Sequence, residues 1–356
     1  MNRIHDIKTE LPRHQIDGLL LTDTISRRFA TGFFSSAGAL LLSTNAALFI
    51  TDSRYTEAAK AKIQHAEVIA LKKGETYHTH ILAFAKKHDV QTLGFEAQRT
   101  TQASFSALSE KLNQDGIGLS PADALVTSLR QIKSTAELQK IKQAQKITDA
   151  VFVDLLGIIS PKRTEKELEA ELIYRVLKQG GEALSFPPIV VSGARSSLPH
   201  GKAEHLPLSG FLTIDFGAVY DSYCSDMTRT VAIGTPTDEM CEIYNAVLRA
   251  QLAGMDAANA GAIGKQIDKA ARDIIDAAGF GSYFGHGFGH GIGLEVHEDM
   301  GPNPREENPL PIGSVISAEP GIYLPGKFGV RIEDMLYLGG DKTENLTKSP
   351  KALIVL

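Results

Sequence analysis

The stretch Phe211–Ile233 reads FLTIDFGAVYDSYCSDMTRTVAI. Two β-rich runs flank a turn near Tyr220-Asp221, which predicts a hairpin. Folded there, the hairpin sets Asp215 directly opposite Asp226, with Cβ atoms about 4.5–5.5 Å apart on one face. Carboxylates that close repel unless a cation lies between them, and a metal ion is the simplest one. Either Asp alone is equally compatible with a turn or surface residue.

A second stretch, Phe284–Glu298, reads FGHGFGHGIGLEVHE and carries His286, His290 and His297. Its alternate glycines permit positive φ and let backbone approach a ligand closely. They would weaken an ordinary strand, so another constraint must favour them. The GxGxG spacing lacks the third glycine of a dinucleotide fingerprint, and no helix pattern opens after it. A third stretch, SVISAEPGIY (314–323) with GVRIEDMLY (329–337), resembles paired strands joined by LPGKFG. Glu319 and Glu333 lie in apolar runs, where an unpaired carboxylate is costly to bury. Arg331 shares a face with Glu333, and a plain structural Arg–Glu pair is the alternative there.

Asp215, Asp226, His290, Glu319 and Glu333 form a set of oxygen and imidazole donors without thiolate. Such a set suits Mn²⁺, Co²⁺, Fe²⁺ or Zn²⁺. Its four carboxylates balance two divalent ions. A metal pair about 3.5–4 Å apart acidifies a bridging water and polarises a carbonyl.

The elements that must position these groups are legible around them. Ser134-Thr135-Ala136-Glu137 and Thr164-Glu165-Lys166-Glu167 are capping boxes, in which hydroxyl and carboxylate satisfy the free N–H groups of a helix start. They open helices to about Leu156 and to the stop at Gly180-Gly181. Further helices are expected over about 238–258 and 264–278. With the Gly/Pro-punctuated strands this is an α+β pattern. Upstream, DGLLLT (17–22), GALLLS (38–43), AALFIT (46–51), 68–71 and 92–96 read as strands. They alternate with helices at 55–63, 79–87 and 103–112, which indicates an α/β layer. We expect a smaller N-terminal α/β domain over 1–125 and the catalytic domain over 126–356. His78 and His80 read as solvated surface.

The chain has 356 residues, with 37 Lys+Arg against 42 Asp+Glu and a net charge of −5. A mildly acidic chain suits neither nucleic acid nor anionic membrane, both of which need a basic surface. Cys224 and Cys241 are too few for a disulfide framework and lack CxxC spacing. Cys224 shares a strand face with Asp226 and reads as a packing residue. The start shows no apolar signal segment, and no apolar run is long enough to span a membrane. The expected compartment is the cytoplasm.

The motifs DFG…YCSDMTRT, GHGFGHGIGLEVHE, SAEPGIY and RIEDM resemble those of the pita-bread metallopeptidases: aminopeptidase P, prolidase, methionine aminopeptidase and the non-metal creatinases. The resemblance covers about 134–356, and all five metal positions match in identity, order and spacing. FATGF (29–33) and FITDSRYTEAA (49–59) are similar to short bacterial Xaa-Pro peptidases. The resemblance implies that Asp215 chelates one ion, His290 and Glu319 the other, and that Asp226 and Glu333 bridge both. Two divalent ions, Mn²⁺ by family, would serve as cofactors. Glu319 would also move the proton, His297 would donate to the oxyanion, and His286 would bind the proline-side backbone. His200 in SSLPHG would orient substrate, although as a lone loop histidine it also reads as surface. Arg331 would steady the carboxylates, and Tyr323 would stand behind them. The implied activity is cleavage before proline, as an Xaa-Pro aminopeptidase or as a prolidase confined to dipeptides. The separate N-terminal domain disfavours methionine aminopeptidase, and the intact ligands disfavour a creatinase-type hydrolase or an inactive binding protein. A homodimer acting on proline-containing peptides is expected.

Overall fold

The computed structural model describes residues 2–356. It divides into two units, the first ending at Arg130 and the second spanning Gln131–Leu356. The expected break at 125/126 falls inside a helix, Asp123–Gln131, that the sequence pattern did not reveal.

The first unit holds one six-stranded sheet built from β1 (Gly18–Leu21), β2 (Ala39–Ser43), β3 (Ala47–Thr51), β4 (Glu67–Ala70), β5 (Thr92–Phe95) and β6 (Gly118–Pro121), in the order β4-β3-β2-β1-β5-β6. The β2–β3 hairpin turns at Thr44-Asn45 as expected, and β4, β5 and β6 join parallel to their neighbours. Strands and helices alternate, which makes it the expected α/β layer. His78 and His80 are half-buried rather than fully solvated, and His80 Nε2 lies 2.9 Å from Glu75.

The second unit opens with the two capping boxes, both formed, on helices Thr135–Leu156 and Glu165–Lys178. Its strands are β7 (Ala183–Leu184), β8 (Ile189–Ser192), β9 (Gly210–Phe216), β10 (Ala218–Tyr220), β11 (Tyr223–Cys224), β12 (Met227–Ile233), β13 (Val315–Ala318), β14 (Gly321–Leu324), β15 (Phe328–Arg331), β16 (Asp334–Leu338) and β17 (Thr343–Asn345). Every pairing among these strands is antiparallel. The first two helices pack apolar side chains such as Phe152, Leu155 and Leu172 against Leu212, Ile214 and Val231. Helices Asp238–Ala257 and Gly264–Ala277 cover a second core with Phe211, Ile316, Ile322 and Val330.

The Asp hairpin turns two residues' worth of register away from the expected fold. The turn sits at Asp221-Ser222, both with positive φ (44° and 69°). A two-residue turn with both centres in that region matches the right-handed twist of the flanking strands, and a short polar Asp tolerates it. Asp215 therefore faces Thr228, not Asp226. Asp226 lies two residues from Thr228 and so keeps the same face.

Candidate active site

β13–β16 and β14–β15 are one long hairpin in a single register, Val315↔Tyr337 through Leu324↔Phe328. Glu319 and Glu333 are the opposed positions in the gap between its two halves. The hairpin opens there because their backbone N–H groups bond outward, Glu319 to Phe288 O at 2.7 Å and Glu333 to Thr228 O at 3.0 Å. The histidine segment lies along β13: the Ser317 N–H donates to His290 O at 2.8 Å, and the His290 N–H to Ser317 Oγ at 3.0 Å. A Cβ on Gly289 would lie 2.1 Å from Ser317 O. The glycines serve this close approach, and none of those from 285 to 293 adopts the positive φ their spacing suggested.

Asp215, Asp226, His290, Glu319, Glu333, His200, His286, His297, Tyr323 and Arg331 all line one cleft of about 840 Å³. Ligand atoms of Asp226, His290 and Glu333 lie within 4.8 Å of one another. His290 Nε2 is 3.1 Å from Glu319 Oε1 and 3.5 Å from Asp226 Oδ2. Its Nδ1 lies 3.1 Å from Gly291 O, which fixes the tautomer that leaves Nε2 free to ligate. Asp215 and Arg331 form an ion pair through Oδ2. His200 and His297 are exposed to the cleft.

Three oxygens decide what this cluster is for. Asp215 Oδ1, Asp226 Oδ1 and Glu333 Oε1 are buried and have no hydrogen-bond partner among the described residues. Such atoms are costly unless something outside the polypeptide compensates them. Burial, then the neighbouring Asp215, push the Asp226 carboxyl well above its usual range, and burial with Asp226 does the same to Glu333. Burial likewise raises Asp215. Burial also opposes charge on Glu319, but the hydrogen bond and charge of His290 hold it down to about 2. Against the same burial penalty, Glu319 and Asp226 lift His290 to about 9. A cluster this acidic and this dry fits divalent cations, which suit carboxylate and imidazole donors.

Around the donors runs a network that the sequence only half disclosed. Arg331 donates from Nη1 to the Tyr323 hydroxyl at 2.8 Å and from Nε to Thr228 Oγ1 at 3.1 Å. Thr228 passes its own hydrogen to Glu333 Oε2 at 2.8 Å. The Tyr323 hydroxyl lies 3.0 Å from His286 Nε2, and His286 Nδ1 lies 2.9 Å from Gly287 O. Both nitrogens of His286 are thus engaged within the protein. Its burial lowers the imidazole's pKa, and the neutral ring accepts from Tyr323 and donates to the carbonyl. Burial raises the Tyr323 phenol to about 12, so it keeps its proton. Ser317 donates to Glu319 Oε1 at 3.2 Å. Thr228 and Ser317 were missed as site residues. Each stands two positions from a ligand, and strand alternation alone puts it on the ligand's face. Cys224 is a packing residue: it is buried, and burial raises its thiol to about 12.

Comparison with known proteins agrees with this frame. Residues 139–339 match metallopeptidase family M24, and residues 3–132 match the creatinase/prolidase N-terminal domain. The chain belongs to metallopeptidase family M24 and carries its pita-bread fold. The peptidase YqhT of Bacillus subtilis is 42% identical over 96% of both chains. The structure of the Xaa-Pro dipeptidase from Bacillus anthracis superposes with a TM-score of 0.95 at 42% identity, covering 99% of each chain. That of the X-Pro aminopeptidase from Thermotoga maritima gives a TM-score of 0.90 at 38% identity, covering 98% of this chain and 100% of its own. The chain is therefore an enzyme of the Xaa-Pro peptidase type, and its family implies divalent metal. Among the described residues, no helix is long and apolar enough to cross a membrane.

Proposed function

We propose that the protein is an Xaa-Pro aminopeptidase that removes the residue preceding an N-terminal-side proline. The three unpartnered buried carboxylate oxygens carry this reading, since bound cations would supply the partners that the polypeptide does not. Asp215, Asp226, His290, Glu319 and Glu333 would hold two divalent ions, with Mn²⁺ the first candidate and Co²⁺, Zn²⁺ or Fe²⁺ the alternatives. Bound there, the ions would polarise the scissile carbonyl and acidify a water.

The polypeptide supplies the rest. Glu319 accepts the proton of the attacking water at its carboxylate and returns it to the departing nitrogen. A prolyl nitrogen carries no hydrogen in the peptide, so it cannot leave as an amine without that delivery. His297, exposed in the cleft beside His290 with ring centroids 4.2 Å apart, donates to the oxygen on which negative charge develops. His200, exposed in the cleft lining, orients the peptide. Arg331 holds Asp215 and, through Thr228, Glu333. His286 acts through Tyr323, because both its nitrogens are occupied within the protein.

The cleft is roomier than two residues need, which favours longer peptides. A dipeptidase is the second reading: Lys202 and Arg305 also line the cleft, and their charges would meet a free carboxylate close to the proline. Chelator-stripped protein reloaded with Mn²⁺ and offered Xaa-Pro and Xaa-Pro-Yaa peptides separates the two. Release of the first residue from the tripeptide supports the aminopeptidase. Cleavage of the dipeptide alone supports the second reading, and cleavage of neither sinks both. The expected homodimer is checked by light scattering on the same sample.

A further inference from the structure

Lys133 and Glu298 form an ion pair of 2.9 Å whose side chains are only 3% and 5% exposed. Neither belongs to the ligand set. A buried pair of this kind contributes little net stability, because desolvation offsets the attraction. Its position is more telling than its energy. Glu298 follows His297 and closes the loop that begins at His290. Its backbone N–H donates to Gly291 O at 2.8 Å, and its Oε1 accepts from the Leu294 N–H at 3.0 Å. Its Oε2 takes the Lys133 ammonium, which also reaches Gln131 O at 3.3 Å. The fit is close: a Cβ on Gly293 would lie 2.5 Å from Glu298 Oε1. Gly293 O in turn accepts the Cys224 N–H at 2.8 Å, tying the loop to the Asp hairpin.

We infer that the Lys133–Glu298 ion pair is the device that holds His297 in place beside His290, which makes Lys133 a positioning residue for the reaction. His297 is exposed to the cleft with one ring face against His290, so its direction depends on the backbone on either side. On one side that backbone is pinned by the carboxylate of Glu298. Lys133 pins the carboxylate from a segment whose own N–H is bonded to Gly313 O at 2.9 Å. The catalytic consequence rests on the proposed role of His297 as oxyanion donor.

The test uses the metal-loaded enzyme and the pair variant K133M/E298M, because removing both charges avoids leaving one buried alone. Turnover of an Xaa-Pro-Yaa peptide by the Mn²⁺-loaded enzyme and the ¹H–¹⁵N resonances of the His297 ring in the diamagnetic Zn²⁺-loaded enzyme are read together. The expected result is a kcat lower by about tenfold or more, an unchanged KM, and a shifted His297 resonance. In an H297A background the same pair replacement should cost nothing further, since residues acting through one another are not additive. Unaltered kcat with an unmoved His297 resonance overturns the inference, as does an equal loss with and without His297. If H297A alone keeps full turnover while the pair variant still moves the ring, the pair positions His297 and the oxyanion role is what fails.

Discussion

Glu319 and Glu333 are register partners on one hairpin, and neither uses its backbone N–H to bond the other. Like charges directly opposed on one sheet face are destabilising; burial, then Asp226 and then Glu319 drive Glu333 well above its usual range, while the hydrogen bond and charge of His290 hold Glu319 at about 2 against its burial. Glu333→Gln mimics the protonated form that the metal-free protein prefers. The metal-free variant should melt no lower than the parent, while metal binding and turnover fall by more than about 100-fold. Asp226→Asn should behave alike. Calorimetry and a peptide assay check both, and retained activity in either variant refutes the bridging assignment.

Removing Thr228's hydroxyl tests how Glu333 is aimed. Thr228→Val keeps the shape but deprives Glu333 Oε2 of its donor and Arg331 Nε of its acceptor. Metal affinity should drop by about 10–100-fold, and stability by about 1–3 kcal/mol from the unpaired buried guanidinium nitrogen. Titration calorimetry with Mn²⁺ that matches the parent would show that the hydroxyl has no part in aiming Glu333.

Metal uptake should release protons. Asp226 and Glu333 have folded-state values raised above their unfolded ones, and His290 is raised to about 9. The stability these groups contribute to the metal-free protein is present below their unfolded values, about 4 for the carboxyls and 6.5 for the imidazole. It is lost as pH rises through the raised folded values. The metal-free Tm should therefore decline between about pH 5 and 9, while metal affinity climbs over the same range because ligands must shed protons first. Binding enthalpies measured in two buffers of different ionisation heat reveal the protons; identical enthalpies contradict the scheme.

His297→Ala should lower kcat by about 10²–10³-fold with little change in KM, since a donor to developing charge acts in the transition state. A change confined to KM would place His297 in substrate binding instead.

Arg331→Lys keeps a charge but loses the planar fork that reaches Asp215, Tyr323 and Thr228 at once. Turnover should fall by about 10–100-fold. Parental rates in this variant would reduce Arg331 to a simple counter-charge.

Much of this was legible because chemistry-bearing residues are rare in apolar runs. Asp215, Asp226, Glu319 and Glu333 stand out against valine, isoleucine and phenylalanine, and the capping boxes announced their helices in the letters themselves. Register was harder. The hairpin could turn at 220–221 or 221–222 on composition, and only backbone twist selects Asp221-Ser222 with both residues left-handed. The opposed pair was consequently expected in the Asp hairpin and is found in the Glu hairpin. The short N-terminal helices Arg3–Glu10 and Thr24–Thr31 escaped the reading although Ile4, Ile7 and Leu11 stand at helical spacing and are buried. Thr228 and Ser317 are of types that fill any surface, and only their place two residues from a ligand points to them; Lys133 has no such neighbour, and its contact with the distant Glu298 leaves no local trace.

The gap between the halves of the 315–337 hairpin also bears on which ions the site can accept. The spacing of Glu319 and Glu333 is set by the strand lattice on both sides of them, anchored by Ala318↔Asp334 and Gly321↔Arg331. The ladder bonds on either side tolerate shifts of only a few tenths of an ångström. Cations of different ionic radius must be met by torsion of the carboxylate side chains alone, so a change of metal should alter donor angles and rate while leaving the backbone where it is.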